Sequence, residues 1–103
     1  MRQGEIYLVN LDPVVGSEQS KTRPCVIIST DLVNEYANTV TIAPLTSKSR
    51  DKPFRFHIKV NESTIKVEQL RTVDKKRLIK KVGNINTKIL FEIKKAIILY
   101  FDI

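Results

Sequence analysis

The sequence predicts a small, mostly β domain that curls into a barrel and carries an α-helix at its C-terminal end. Most of its apolar segments are short and rich in β-branched residues, which favours strands over helices. Polar loops and turn residues separate these segments, and the only long run with helical periodicity is the last one. With 103 residues, 42% of them apolar, the chain can bury one ordinary core, so a single domain over residues 1–103 is expected.

The first predicted strand covers residues 5–11, where apolar side chains occur on both faces, as in a strand buried from two sides. Asp12 and Pro13 end this strand. Residues 12–22 then form a polar loop around Gly16 that is longer than a hairpin turn. A loop of this length and polarity is typical of a binding loop on a rigid frame.

Two further strands are predicted at residues 25–28 and 39–43, because both segments are rich in β-branched residues. Residues 31–38 between them can form a short helix that begins at Thr30 or Asp31, since both side chains are good helix caps.

An exposed loop at 47–53 is expected to lead into a strand at 54–60 with one buried and one wet face. Its polar face holds Arg55, His57 and Lys59. A turn at 61–63 joins it to a strand at 64–70, and a weaker short strand is predicted at 82–85.

The final helix is predicted over residues 88–101, after Asn86 and Thr87 at its cap. Its core-facing residues, spaced by three or four, are Ile89, Leu90, Ile93, Ala96, Ile97, Tyr100 and Phe101. Three other apolar residues, Phe91, Ile98 and Leu99, fall on the remaining surface. This second apolar side favours contact with a second subunit, and the alternative is a helix sunk more deeply in its own core.

Positive charge is concentrated in the second half of the chain. Residues 1–47 carry a net charge of −2 and residues 48–103 a net charge of +9. The densest run, residues 75–81, consists of Lys75, Lys76, Arg77, Lys80 and Lys81 around two apolar residues. This imbalance favours a polyanionic partner, with nucleic acid first, and the alternative is a surface that only keeps the protein in solution.

Several classes of protein are disfavoured by composition. Cys25 is the only cysteine, so no internal disulfide can form, and with a single histidine a structural zinc site is excluded. No cofactor is expected. The sequence has no apolar run long enough to span a membrane and does not begin like a signal peptide, so we expect no membrane partner and a cytoplasmic protein.

Three side chains are candidates for chemistry at a phosphate. Arg23 can bind phosphate oxygens with its forked guanidinium, and Pro24 restricts how it leaves the loop. Thr46 can donate a hydroxyl, and Glu18 can act as a base. Each has a plainer interpretation: a surface ion pair for Arg23, a turn residue for Thr46, and a tether to a neighbouring cation for Glu18. His57 is interpreted as a surface residue, since it lies between two cations on the polar face.

Four blocks of the sequence resemble the MazF/PemK family of toxin endoribonucleases. They are Gly-Ser-Glu-Gln at 16–19, Arg-Pro at 23–24, Pro-Leu-Thr at 44–46, and the run at 68–78 that begins Glu-Gln-Leu-Arg. The blocks occur in the family's order and span most of the chain. Cys25 occupies a strand position that the family fills with small apolar residues, so a buried thiol is expected there.

The resemblance implies an SH3-like β-barrel that acts as a homodimer and cleaves single-stranded RNA without metal. It implies that Arg23 and Thr46 are catalytic and that Glu18 assists them. The RNA-binding residues expected from it are Ser17, Gln19, Lys21, Ser47, Gln69 and Arg71. The expected partners are single-stranded RNA and a cognate antitoxin whose flexible acidic tail lies in the RNA groove.

The function predicted on this basis is a sequence-selective endoribonuclease toxin that leaves 2′,3′-cyclic phosphate and 5′-hydroxyl ends. Which group is the general base and which the general acid stays open. One alternative is a gyrase-inhibiting toxin of the same fold, although that group lacks the Arg-Pro and Pro-x-Thr blocks. The other is a non-catalytic RNA-binding barrel, which would need neither Arg23 nor Thr46.

Overall fold

Seven strands, two α-helices and two short 3₁₀ turns make up the computed structural model, which describes residues 1–47 and 54–103. The elements in chain order are β1 (Glu5–Asn10), β2 (Thr22–Ile27), α1 (Asp31–Tyr36), β3 (Thr39–Thr46), β4 (His57–Val60), β5 (Ser63–Lys66), β6 (Arg71–Asp74), β7 (Leu78–Asn84) and α2 (Thr87–Phe101). The 3₁₀ turns at Val67–Gln69 and Lys75–Arg77 precede β6 and β7.

All strand pairs are antiparallel and follow the path β4–β5–β3–β2–β1–β7, with β6 added to β3. β3 is the branching strand, because its beginning pairs with β6 and its last two residues, Leu45 and Thr46, pair with β5. Among the described residues this path does not close into a ring. The predicted β-barrel with a C-terminal helix therefore takes the form of an open, barrel-like sheet.

Two apolar clusters lie on opposite sides of the central strands, since side chains alternate between the faces of a sheet. The first contains Val9, Leu11, Cys25, Ile27, Val40, Ile42 and Val73. The second contains Val26, Ala43, Leu45, Ile65, Val67, Ile93 and Ala96. The α2 helix covers the second cluster through Ile93 and Ala96, whereas the first cluster lies inside the curved sheet.

The strands predicted in the first half are confirmed with shifted ends. β1 ends one residue earlier than predicted, at Asn10. β2 begins at Thr22 and therefore includes Arg23 and Pro24, and β3 continues to Thr46. The site residues expected just outside these strands are thus part of the sheet. The short helix is also confirmed, with Thr30 at its N-terminal cap position.

The strand predicted at 54–60 is correct only for its last four residues. Phe54 is about half exposed, at 45%, and residues 55 and 56 form a turn. Similarly, the segment at 64–70 is a strand only to Lys66, and the 3₁₀ turn begins at Val67. The bend after Lys66 ends the pairing of β5 with the end of β3. The chain then returns as β6 and pairs with the beginning of β3.

Two strands in the basic half differ from the prediction. β6 was not predicted, and β7 covers Leu78–Asn84 instead of 82–85. The adjacent cations Lys80 and Lys81 interrupt the alternation in β7, and β6 is only four residues long, with Val73 as its one buried residue. Of the exposed loop predicted at 47–53, residues 48–53 lie outside the described part of the chain.

The α2 helix confirms the predicted C-terminal helix, and the Asn86 side chain caps it by accepting a hydrogen bond from the Ile89 amide at 2.8 Å. Tyr100 and Phe101, predicted to face the core, are instead 44% and 53% exposed. The last turn extends past the sheet, where the Tyr100 ring packs edge-on against Phe56. Within the described residues no helix is long and apolar enough to cross a membrane.

Candidate functional site

The loop between β1 and β2 is closed at its neck by backbone contacts. The Leu11 amide donates to the Lys21 carbonyl at 2.9 Å, and the Lys21 amide donates to Asp12 Oδ1 at 2.9 Å. Lys21 adopts a left-handed conformation with φ of 67°, so the chain can turn back into β2 at this residue. These contacts present the tip of the loop as a defined surface.

The tip of the loop is folded by Glu18 and fastened by Gln69. Glu18 Oε1 accepts a hydrogen bond from the Val15 amide at 2.6 Å. The Gln19 amide donates to Gln69 Oε1 at 2.7 Å, and Gln69 Nε2 lies 3.5 Å from the Ser17 carbonyl oxygen. Gln69 therefore binds the loop backbone on both sides of Glu18.

A cleft of about 350 Å³ lies between this loop and the chain around Gln69. Its lining residues are Leu11, Ser17, Glu18, Gln19, Pro44, Glu68, Gln69, Leu70 and Arg71. The apolar members form a floor on which a flat ring could stack, and the polar members supply hydrogen-bond donors and acceptors. Five residues selected from the sequence gather here: Ser17, Glu18, Gln19, Gln69 and Arg71.

Arg23 and Thr46 occupy corresponding positions on neighbouring strands. Cys25 of β2 pairs with Pro44 of β3, and Arg23 and Thr46 each lie two residues beyond this pair. Because residues two apart in a strand share a face, both side chains belong to the same side of the sheet. Arg23 Nε donates to the Ser20 carbonyl at 2.9 Å, and Thr46 is buried, with 8% exposed.

Four of the selected residues do not line the cleft itself: Lys21, Arg23, Thr46 and Ser47. Lys21 contributes backbone contacts at the neck of the loop, and its side chain is exposed. Ser47 is exposed at the end of the first described range. Arg23 is joined to the loop at Ser20, the residue after Gln19 of the cleft lining.

The plainer interpretations of two candidates find no support in the geometry. Within residues 1–47 and 54–103, Arg23 forms no ion pair, and Glu18 is not paired with Lys21 or Arg23. Glu18 nevertheless has a structural role, because its carboxylate closes the loop turn through the Val15 amide.

Cys25 lies in the first apolar cluster below the two arginines of the site. Burial raises the pKa of its thiol to about 12, although the positive charges of Arg71 and Arg23 act in the opposite direction. The thiol is therefore protonated at neutral pH, which confirms the expected buried thiol and disfavours a nucleophilic role.

A histidine–glutamate pair at the cleft was missed by the sequence interpretation of His57 as a surface residue. His57 Nε2 lies 2.7 Å from Glu68 Oε2, and the His57 side chain is only 10% exposed. The other oxygen, Glu68 Oε1, is buried without a hydrogen-bond partner among the described residues, and Glu68 lines the cleft. The signal was the β4–β5 hairpin, whose register pairs His57 with Lys66 and brings it near Glu68.

No three His, Cys, Asp or Glu side chains of the described ranges are grouped so that they could hold a metal ion. The groups that the site offers for chemistry are therefore guanidinium, carboxylate, imidazole, amide and hydroxyl.

Comparison with known proteins identifies the family. The family described as "PemK-like, MazF-like toxin of type II toxin-antitoxin system" matches residues 2–101. The chain belongs to this toxin family. A relative named Endoribonuclease MazF, from Staphylococcus saprophyticus, is 38% identical over an alignment of 105 residues. This alignment covers 94% of this chain and 88% of the relative. The resemblance inferred from the sequence blocks is thus confirmed.

Solved structures show the same fold for this toxin. The crystal structure of MazF from Deinococcus radiodurans superposes with a TM-score of 0.86 at 19% identity, covering 100% of this chain and 97% of that one. An endoribonuclease in complex with its cognate antitoxin, from a mycobacterial species, gives a TM-score of 0.83 at 15% identity and covers 100% and 96%. The predicted barrel class is confirmed by both.

Proposed function

We propose that this chain is an endoribonuclease toxin that cleaves single-stranded RNA in a sequence-selective, metal-independent reaction. The observation that carries this proposal is the cleft in which Ser17, Glu18 and Gln19 face Gln69 and Arg71 next to Arg23. Its apolar floor suits an unstacked base, and its polar rim suits base edges and phosphate. The relative named Endoribonuclease MazF supports the same activity.

In the proposed reaction the 2′-oxygen attacks the adjacent phosphorus and the bond from phosphorus to the 5′-oxygen breaks. The products are a 2′,3′-cyclic phosphate and a 5′-hydroxyl. One group must accept the proton of the 2′-hydroxyl, and another must supply a proton to the departing 5′-oxygen. Arg23 stabilises the negative charge that develops on the phosphate oxygens, and the Thr46 hydroxyl donates to one of them.

Two groups near the cleft can exchange these protons. Glu18 has one carboxylate oxygen engaged by the Val15 amide, and the second takes no hydrogen bond from the described residues, so it can accept a proton. The His57–Glu68 pair, whose glutamate lines the cleft, is the other proton-carrying group. We assign the general base to Glu18, whereas His57 itself lines a separate depression beside α2 and reaches the cleft only through Glu68.

The proposed partners follow from the same surface. Single-stranded RNA and the flexible acidic tail of a cognate antitoxin both carry the negative charge that the basic half of this toxin attracts. The structural relative solved with its antitoxin supports this partner. A second copy of the chain would cover the exposed apolar side of α2, and the cytoplasm is where such an enzyme meets messenger RNA.

The decisive experiment is cleavage of a labelled single-stranded RNA by the purified protein in excess EDTA. The proposal predicts discrete fragments. Acid should open the cyclic phosphate at their 3′ ends, and removal of the resulting terminal phosphate then identifies those ends. Binding without cleavage would favour the RNA-binding barrel. Neither binding nor cleavage would favour a toxin directed at a protein, and cleavage that EDTA abolishes would contradict metal independence.

A further inference from the structure

One later segment of the chain determines the shape of the loop between β1 and β2. Gln69, Arg71 and Arg77 lie within nine residues of one another, and each side chain hydrogen-bonds to the loop or its neck. Gln69 fastens the tip of the loop, and the two arginines reach its first residues. The loop therefore depends on side chains that come from outside it.

The two arginines bind three consecutive backbone carbonyls at the neck of the loop. Arg77 Nη1 donates to the Asn10 carbonyl at 3.2 Å and also to the Asp12 carbonyl through a short contact. Arg71 Nη1 donates to the carbonyl between them, that of Leu11, at 3.0 Å. Hydrogen bonds from a charged donor are stronger than those between neutral groups, and the planar guanidinium fixes their direction.

Asp12, one of the two residues whose carbonyls Arg77 binds, also closes the loop. Asp12 accepts the Lys21 amide with Oδ1, and its own amide donates to Asn10 Oδ1 at 3.1 Å. A shift of Asp12 would therefore move both ends of the loop together. Lys21 lies two residues after Gln19 and three after Glu18, both of which line the cleft, so such a shift would reach the cleft lining.

We propose that Arg77 is a positioning residue, which fixes the neck of this loop and thereby places Ser17, Glu18 and Gln19 at the cleft. The proposal rests on the proposed RNA cleavage for its effect on activity. From its place in the basic run, Arg77 would be one of the cations that attract RNA. In the fold it supports the loop instead. Its guanidinium is committed to backbone carbonyls, so its shape matters as well as its charge.

The test is the Arg77→Lys variant, which keeps the positive charge but lacks the longer, planar guanidinium whose Nη1 donates to both carbonyls. At saturating RNA we expect kcat to fall on the order of 10- to 100-fold, because small displacements of catalytic groups have effects of this size. KM should change much less. Hydrogen exchange measured by NMR should show faster exchange of the Leu11, Gln19 and Lys21 amides, while thermal unfolding shows an intact fold.

The matched control is Lys59→Gln, which removes one positive charge from an exposed position of β4 without touching the loop. It should leave kcat and the exchange of the loop amides unchanged. Wild-type kcat and exchange in Arg77→Lys would overturn the proposal, since charge alone would then suffice. Arg77→Gln, which removes the charge and shortens the side chain further, should speed the exchange of the loop amides at least as much as Arg77→Lys.

The exchange experiment separates this proposal from the proposed function. If the wild-type protein cleaves no RNA, the function fails, and the exchange of the loop amides still decides whether Arg77 holds the loop. If Arg77→Lys and Arg77→Gln both fail to fold, the proposal is overturned, because Arg77 would then support the whole sheet.

Discussion

Arg23 is held in place by the backbone on both sides of it. Pro24 restricts the preceding residue to extended geometry, and the Nε of Arg23 donates to the Ser20 carbonyl. Among residues 1–47 and 54–103 no hydrogen bond engages its two terminal amino groups, which suits them to a ligand, and Thr46 lies two residues beyond the same strand pair on β3. Two donors in a fixed plane match two phosphate oxygens better than a lysine ammonium can.

We predict that Arg23→Ala lowers the rate of RNA cleavage by on the order of 10²–10³, the usual loss for one charge-stabilising donor. Arg23→Lys should recover little activity, because a point charge cannot reproduce the fork. Circular dichroism should show an unchanged fold, and single-turnover cleavage measures the rate. Arg2→Ala, at an exposed arginine paired with Asp31, is the control and should cleave normally. Near-normal cleavage by Arg23→Ala would return Arg23 to an ordinary surface role.

Elements were predictable from the sequence where one physical signal dominated. The α2 helix has an Asn86 cap and continuous three- and four-residue spacing, and its observed range differs from the predicted one by a single residue. β6 has four residues and a single apolar side chain, and β7 contains the adjacent cations Lys80 and Lys81, so local hydrophobicity could not reveal either strand. Their position is set by pairing with β3 and β1, which are distant in sequence.

The site shows the same division between local and distant causes. The loop and the Arg-Pro and Pro-x-Thr blocks are local features, and the sequence identified them. The His57–Glu68 contact needs the register of the β4–β5 hairpin, and the support of the loop by Gln69, Arg71 and Arg77 needs the whole sheet. Sequence patterns report which residues are polar, whereas only the fold determines which of them meet.

The start of β1 is tied to β7 and to the N-terminus by Glu5. Its Oε2 lies 2.7 Å from Lys81 Nζ, and its Oε1 accepts the Arg2 amide at 2.6 Å. The hydrogen bond from Lys81 lowers the pKa of the Glu5 carboxyl, and burial opposes this shift only in part. A carboxyl whose pKa is lower in the folded state stabilises the fold above its ordinary pKa of about 4.5, and this stabilisation is lost as the pH falls through the folded pKa.

We therefore predict that Glu5→Gln lowers the free energy of unfolding at pH 7 by about 1 kcal/mol, which corresponds to roughly 4–8 °C in Tm for a chain of this size. The difference from wild type should shrink as the pH falls below the ordinary carboxyl value and should vanish in stronger acid. Thermal unfolding followed by circular dichroism across pH 3–7 measures it. Glu62→Gln, at an exposed position in the β4–β5 turn, should show no such dependence. A difference that stays constant with pH would rule out the ion pair as its cause.

At the scale of the whole molecule, α2 exposes several large apolar side chains on one side. Phe91, Ile98 and Leu99 are 58%, 51% and 50% exposed, and Phe101 and Ile103 extend the same end of the helix.

We predict a homodimer held partly by this exposed side of α2. Ile98→Glu should shift sedimentation toward the monomer, because a charge would then be buried without a partner. Leu32→Glu places the same change on the exposed α1 helix and should leave assembly intact. A wild-type monomer that is fully active at micromolar concentration would exclude a shared groove.

Residues 1–47 carry a net charge of −2 and residues 48–103 a net charge of +9. The structure divides the five cations at 75–81 into those with a partner and those without an ion pair. Of the five cations at 75–81, Lys81 is paired with Glu5 and Arg77 binds backbone carbonyls. The other three, Lys75, Lys76 and Lys80, form no ion pair within the described ranges. These three are the cations of the run that can neutralise phosphates or an acidic antitoxin tail.

If RNA and the antitoxin tail use this surface, their binding should be mutually exclusive and strongly dependent on salt. The logarithm of affinity for single-stranded RNA should fall with the logarithm of salt at about −0.7 per neutralised phosphate, so Lys76→Gln with Lys80→Gln should reduce the slope by up to about 1.4. Titration of a labelled, uncleavable RNA at several salt concentrations measures this slope, with and without an acidic competitor peptide. The double variant Lys59→Gln and Lys94→Gln, which removes two exposed charges elsewhere, should keep the wild-type slope. A slope unchanged by the Lys76 and Lys80 substitutions, or a complex that holds RNA and peptide together, would contradict a shared surface. The nuclease proposal would keep its own test, because it assigns the chemistry to Arg23 and Thr46 and none to these lysines.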